Sequence, residues 1–358
     1  MQNIKLPIFQ KVSIKDKFNF YEYLSVMLDG WVTISETLDS VQTKIKNPFF
    51  KEKIKELQTY VSSGDSFSKS MKKVPQIFSS GEIAIIESGE TTWKLSVSLW
   101  NLSDNLRKSY DLRSKIKAAL TYPTIIFAFL ALAIVIVLTY VIPAVSQLFE
   151  TSEVALPAAT IALIATSNFV IYNWAILILF IATVIVLFYG YKSTEKGKAN
   201  IDHFILGLPL IGRVYKNYLL ASLSTSLWTL IASGVPVVKS LSLTAKSLDN
   251  LVYEAHIMTV MSKVSLGQKI TDSFMEVDPD HRFFPLDFLQ MLSVWEKTAS
   301  LDTVTKKLTA QYTREVDYSL WNLTKWIEPL AILVAGVFVL WFAFAIFGAI
   351  LKVTQTVG

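Results

Sequence analysis

The chain has 358 residues, of which 52% are hydrophobic and 18% charged, with a formal net charge of +5 and no cysteine. That balance is too apolar for an ordinary soluble protein of two or three compact units, and the missing thiols exclude disulfides and thiolate metal sites. His203, His256 and His281 are too scattered for a metal cluster, so neither a metal nor a cofactor is expected.

Residues 1–17 are basic but lack the continuous apolar core and small-residue cleavage site of a signal peptide, and are expected to stay cytoplasmic. Residues 18–117 read as a helical bundle, with Leu95, Leu99, Leu102 and Leu106 forming one apolar stripe at helical spacing. Residues 118–147 then run without Asp, Glu, Lys, Arg or His, longer than the roughly 20 residues a membrane crossing needs. A loop at 148–170 and a second crossing at 171–191 follow. The stretch "ALPAATIALIATSNF" before the second crossing either lies at the outer interface or extends its helix. Residues 192–328 form a second bundle, striped by Leu220, Leu223, Leu227 and Leu230 and again by Leu301, Val304, Leu308 and Tyr312. Residues 329–351 make a third crossing, and 352–358 a short tail. The fold class expected is an all-α membrane protein with two helical-bundle domains and three transmembrane helices.

Basic residues set the orientation. Arg107, Lys108, Arg113, Lys115 and Lys117 precede the first span, Lys192, Lys196 and Lys198 follow the second, and the loop between carries Glu150 and Glu153. This places the N-terminus and both bundles inside and the loop outside, with Lys352 a mild exception. No Asp, Glu, Lys, Arg or His lies within the spans, which argues against ion transport. Ala331 with Ala335 and Ala345 with Ala349 offer close-packing spacing, or are ordinary alanines of apolar helices. Trp174 and Tyr140 suit interfacial anchoring, or contact with another transmembrane helix.

The two bundles resemble each other. "SSGDSFSKSM" aligns with "SLGQKITDSF" at an offset of 203, pairing Gly64 with Gly267, Phe67 with Ile270 and Ser70 with Ser273. A three-residue insertion near Asp278–Asp280 raises the offset to 206 and pairs Phe78 with Phe284, Glu90 with Glu296, Thr92 with Thr298, Leu95 with Leu301 and Pro123 with Pro329. The chain is a duplication. Gly64 and Gly267 read as helix-ending turns, and Pro123 and Pro329 as first-turn prolines at the heads of spans.

The candidate site is "ESGETTWKL", Glu87 to Leu95, with its echo "SVWEKTASL", Ser293 to Leu301. Three readings of Glu90 and Glu296 stand side by side. Each precedes a Thr suited to N-cap the Leu-striped helix; or each touches a partner; or the pair Glu87 and Glu90 does catalysis or holds a cation. No phosphate-binding loop, Gly-x-Ser-x-Gly elbow or paired-His helix motif is present in the sequence.

Several motifs resemble the general secretion pathway protein F family, the inner-membrane platforms of type II secretion and type IV pilus assembly. "GLPLIGRVYKNYLLASLSTSLWTLIASGVPVVKSL" is similar to that family's Pro-x-hydrophobic-Gly opening, helix and small-Gly-Val-Pro turn, here Ser233, Gly234, Val235 and Pro236. Its Gly-Glu-x-Ser-Gly-x-Leu element corresponds to Gly89 through Leu95. Tyr122–Pro123, Val141–Pro143 and Glu328–Pro329 look like its span boundaries. Trp93 replaces the second Gly of the first copy's turn, and Trp295 and Ala299 replace both in the second. "LDGWVTISETL" carries one residue more than "SGVPVVKSL" between Gly and final Leu, and lacks its proline.

The resemblance implies a non-enzymatic platform in the bacterial inner membrane. Its partners would be a cytoplasmic assembly or secretion ATPase, pilin or pseudopilin transmembrane helices, other inner-membrane machine components, the phospholipid bilayer and further copies of itself as a homo-oligomer, without nucleic acid. Partner contacts would fall on Glu87, Glu90, Trp93, Trp295 and Glu296. The short N-terminal extension favours a pilus or competence-type system. A small-solute transporter is the alternative, and a membrane-bound enzyme using Glu87 and Glu90 a third.

Overall fold

A computed structural model describes residues 12–150, 156–298 and 301–357. The tail 1–11, Glu153 in the expected loop and Ala299 lie outside the described residues. Two compact units are present: Met1–Lys115 with Asp202–Asp317, and Ile116–Ile201 with Tyr318–Gly358.

In chain order the helices are α1 (Ile14–Asp29), α2 (Ile34–Lys44), α3 (Pro48–Ser62), α4 (Phe67–Lys72), α5 (Ser80–Thr91) and α6 (Leu95–Ile136). A wide π-helical turn, Val137–Val141, leads into α7 (Ile142–Glu150), then α8 (Ala158–Tyr172), α9 (Trp174–Ser193) and α10 (Glu195–Gly207). The second repeat is α11 (Ile211–Ala232), α12 (Val237–Ser247), α13 (Leu251–Ser265), α14 (Ile270–Val277), α15 (Leu286–Thr298) and α16 (Leu301–Val357). From α2 to α4 each helix starts 203 residues before its counterpart, and α5 and α6 start 206 before α15 and α16.

Local chemistry explains the breaks in the first repeat. Thr33 and Ser79 open α2 and α5 with reciprocal capping boxes to Glu36 and Glu82. Asn47 caps α3 ahead of Pro48 at its first position. Helices α3 and α13 end in Schellman turns at Gly64 (φ +94°) and Gly267 (φ +90°). There Gly64 N–H bonds to Val61 O and Asp65 N–H to Tyr60 O, with the same pattern at Gly267. The insertion at Asp278 is clipped shut by its own carboxylate, which accepts the N–H groups of Arg282 (3.0 Å), Phe283 and Phe284 (both 2.7 Å).

The same turn ends α1 and α11, and it corrects the expected register. Trp31 N–H bonds to Leu28 O and Val32 N–H to Met27 O, as Gly234 does to Ile231 and Val235 to Leu230. The left-handed residue is therefore Trp31 (φ +62°), opposite Gly234 (φ +83°), while Gly30 has φ −81°. With Trp31 in Gly234's place the offset of 203 holds and no extra residue exists.

Leu99, Leu102, Leu220, Leu223, Leu227, Leu230, Leu308 and Tyr312 are all buried, so these stripes face the core. In the first repeat they join Tyr21, Leu24, Leu38, Phe50 and Ile54. The second repeat's core is aromatic, with the Phe274 and Phe284 rings 4.7 Å apart edge to face.

Among the described residues, three helical runs are long and apolar enough to cross a membrane: those of α6 to α7, α9 and α16. Pro123 and Pro329 lie inside α6 and α16 rather than in a first turn, because both helices begin well upstream and run on through the span. The segment 148–170, expected as a loop, contains α8, started after Pro157 and separated from α9 at Asn173. Ala345 and Ala349 are fully buried, and Thr160 Oγ on α8 donates to Ala345 O, so this pair is a packing seam; Ala331 and Ala335 are only half-buried. In the π-turn Ile142 N–H bonds to Val137 O. The next acceptor in that register, Leu138 O, faces Pro143, which has no N–H, and Ser167 Oγ supplies the donor at 2.5 Å.

Candidate functional site

The stretch "ESGETTWKL" forms the elbow between α5 and α6. Helix α5 runs through Thr91, and Thr92 is its C-cap, with Oγ donating back to Ser88 O at 2.8 Å. Thr92 therefore does not N-cap α6, and Thr298 is likewise the last residue of α15. The elbow turns through Trp93, which has φ +56° and closes a Schellman turn by bonding to Glu90 O while Lys94 N–H reaches Gly89 O. Its side chain is 95% exposed.

Glu90 points away from the elbow and across the bundle. Its carboxylate accepts the N–H of Phe67 (2.6 Å) and of Ser68 (3.2 Å), and also the Ser68 hydroxyl. Those are the first two amides of α4, which have no partner within a helix, and the negative charge suits the positive end of the helix dipole. Glu296 repeats the arrangement on α14, accepting Ile270 N–H (2.5 Å) and Thr271 N–H (3.1 Å). Each carboxylate thus clasps the short fourth helix of its repeat to the fifth. This is architecture, by a different contact from the cap expected of the neighbouring threonines.

Glu87 faces outward and pairs with Lys72 Nζ at 2.8 Å, with Lys239 Nζ of the second repeat 4.0 Å away. The Lys72 hydrogen bond, aided by the charges of Lys72 and Lys239, holds its carboxyl below the usual range. Glu87 and Glu90 therefore point to different partners. Among the described residues no cluster of three or more His, Cys, Asp or Glu side chains is placed to hold a metal. Gly89 is required by packing: a Cβ there would stand 2.7 Å from Ser98 Cβ and 2.5 Å from its Oγ. Its counterpart Trp295 lines a small apolar recess with Trp228, Phe288 and Leu308.

Sequence reading missed the junction between repeats, because its pairs are far apart in the chain. Ser88 Oγ donates to Ser233 O at 2.6 Å, beside Gly234 and Pro236 of the α11–α12 turn. Asn105 Nδ2 donates to Thr229 Oγ1 at 2.7 Å, and Leu230 and Val235 are buried in the first repeat's core. Within the first repeat, Lys17 Nζ pairs with the buried Glu82 at 2.9 Å. Between α6, α11 and α16 a cleft of about 800 Å³ opens, lined by Asn101, Asp104, Asn105, Lys108, Thr229 and Arg314 among others.

Two all-helical repeats, each closed by a carboxylate clasp and alternating in sequence with membrane-length helices, define a polytopic membrane scaffold. The family described as Type II secretion system (T2SS), protein F matches residues 20–143 and 223–349, once per repeat. The chain belongs to this family. It is 30% identical to the type IV pilus assembly protein PilC of Thermus thermophilus over 99% of this chain and 87% of that protein. It is 27% identical to PilC of Pseudomonas aeruginosa, covering 98% and 92%, and 26% identical to that organism's type II secretion system protein F, covering 100% and 87%.

Proposed function

We propose that the chain is the inner-membrane platform of a type IV pilus or type II secretion machine. It is a non-catalytic scaffold that couples a cytoplasmic assembly ATPase to insertion of pilin or pseudopilin subunits into the fibre. The observation that carries this reading is the family match to both repeats together with their spans. The clasp adds support, since Glu90, one of the two acids that suggested catalysis, is committed to holding the start of α4. Both helical repeats face the cytoplasm on this reading, which the basic residues flanking the first two spans support. No observation favours a small-solute transporter.

The test is reconstitution of the full-length chain in proteoliposomes with the purified assembly ATPase of the same cell. Retention of the ATPase on the vesicles, and loss of filaments or secretion on in-frame deletion, are expected. Solute uptake or turnover without the ATPase would sink the proposal. Alkaline phosphatase fused after residue 153 should be active and after residue 250 inactive; the reverse would invert the orientation.

A further inference from the structure

At Thr194 the chain leaves α9 in an extended conformation (ψ 144°) and starts α10 at the next residue. The corner is tight. A Cβ on Gly197 would stand 1.9 Å from Tyr191 O, so only glycine lets α10 lie this close to the end of α9. Asn200 Nδ2, one turn on, donates to Tyr191 Oη at 2.9 Å and fixes the face that α10 turns toward α9. Lys196, Asn200, His203, Phe204 and Gly207 share that face at helical spacing, and all five are exposed. The other side of α10 is held by protein: Asp202 is buried, and its carboxylate accepts Leu251 N–H at 2.9 Å.

Beyond α10 the stretch "LPLIG" makes a second unusual turn. Ile211 N–H bonds to Pro209 O at 2.8 Å around Leu210, which has φ +66° and ψ −60°. This is a γ-turn of the rare, strained kind. Gly212 packs against the end of α10, where a Cβ would stand 2.5 Å from Leu206 O. Three apolar side chains thus lie open within one short stretch: Phe204 at 67% exposure, Ile211 at 49% and Leu210 at 41%. From residue 192 to 213 the chain also carries Lys192, Lys196, Lys198 and Arg213 against Glu195 and the buried Asp202.

We propose that α10 and the γ-turn after it form an in-plane membrane anchor. Phe204, Leu210 and Ile211 enter the boundary between headgroups and acyl chains in the leaflet where α9 ends, and Lys196 and Arg213 meet anionic phospholipid headgroups. Lipid is the occupant because the patch is continuous with a span: α10 starts just past Ser193, and the face that carries Phe204 is the one bonded to the last turn of α9. Tyr189 and Tyr191, both exposed, end that span as interfacial aromatics do. Apolar side chains flanked by cations are the composition of a helix lying in a bilayer surface, and each such cation is drawn to an anionic leaflet. The strained turn fits the same role, because it holds Leu210 outward, and such backbone persists where a function uses it.

This inference rests on α9 as a membrane span and not on the platform reading, so its failure leaves the family membership and the ATPase test as they stand. The chain has no cysteine, so a single introduced thiol takes a nitroxide label without background. Full-length Phe204→Cys and Leu210→Cys are labelled and reconstituted into vesicles of phosphatidylglycerol and phosphatidylethanolamine. Collisions are then measured with oxygen, which concentrates in the bilayer, and with a water-soluble nickel chelate. Ile178→Cys on α9, 59% exposed, gives the value for lipid, and Trp93→Cys on the elbow, 95% exposed, the value for water. Labels at 204 and 210 should favour oxygen as the label at 178 does, and vesicles of phosphatidylcholine alone should bring both toward the value at 93. The proposal is overturned if 204 and 210 collide with nickel as 93 does, or with neither agent, which would place protein over the patch. Readings unchanged in the neutral vesicles would overturn the headgroup contacts assigned to Lys196 and Arg213.

Discussion

Replacing Glu90 by Gln separates the clasp from every other role of this residue. Glu90 accepts two backbone N–H groups at the start of α4 and the Ser68 hydroxyl, so Glu90→Gln removes the charge and sets an amide NH2 against donors. Hydrogen bonds to a charged group contribute about 1.5–3 kcal/mol each, and a charge at a helix N-terminus about 0.3–1 kcal/mol. One oxygen survives in Gln, which leaves a net loss of about 2 kcal/mol. For a unit of this size each kcal/mol moves the midpoint by about 2–4 °C, so the full-length chain in detergent should melt about 4–8 °C lower by tryptophan fluorescence. Glu296→Gln should cost less, because Thr271 Oγ, the counterpart of the Ser68 hydroxyl, makes no bond to Glu296. The two clasps lie in separate repeats, so the double variant should lose the sum within about 0.5 kcal/mol. If Glu90→Gln melted like the parent while filament assembly was lost, Glu90 would be a partner contact and the clasp reasoning would be wrong.

Gly89→Ala should lower stability by about 1–3 kcal/mol through its overlap with Ser98, and Ser98→Gly in the same chain should restore part of it; an unchanged melt of the single variant counts against the packing described. Trp93→Gly should be neutral or stabilising by up to about 1 kcal/mol, since it relieves a left-handed backbone and removes an exposed ring. Lost assembly in that well-folded variant would locate a partner at the elbow. Tyr21 Oη is buried without a hydrogen-bond partner, so Tyr21→Phe should hold or raise the melting midpoint. Tyr253→Phe should lower it by about 1 kcal/mol, through loss of the 2.9 Å bond to Phe283 O.

Alkaline titration checks the same two phenols. Burial first, and then Glu82 for Tyr21 and Asp278 for Tyr253, push both above the usual value of 10. Their raised folded pKa means that their contribution is intact below pH 10 and is lost as the unfolded phenols ionise above it. Stability should therefore fall above pH 10, and less steeply in the two Phe variants. A slope identical to the parent's would show that other groups govern alkaline unfolding.

The spans, the duplication and the stripes were legible because each depends on one local property: an absence of charge, a repeated spacing, a helical period. The Trp31 register was not, because glycine stands in sequence as a proxy for positive φ, and here the glycine is Gly30 while the left-handed residue is its neighbour. The threonines after Glu90 and Glu296 looked like caps because helix ends are poorly marked in sequence; α5 runs on through Thr91. The true partners of Glu90 lie 23 and 22 residues upstream, and Lys17 meets Glu82 across 65. Pairings at that range depend on how the bundle closes, which no local pattern states. The resemblance to the protein F family drew on order and spacing of weak motifs, and the family matches once per repeat.

The clasp also bears on how such a domain keeps its shape without covalent help. In a chain with no cysteine, Glu90 and Glu296 tie together segments 23 and 26 residues apart, much as a disulfide would fasten a loop. A carboxylate latch involves no thiol, so the two domains should hold equally well under oxidising and reducing conditions. Its helix cannot fray alone: releasing α4 strands the carboxylate, and the elbow that carries it must loosen at the same moment.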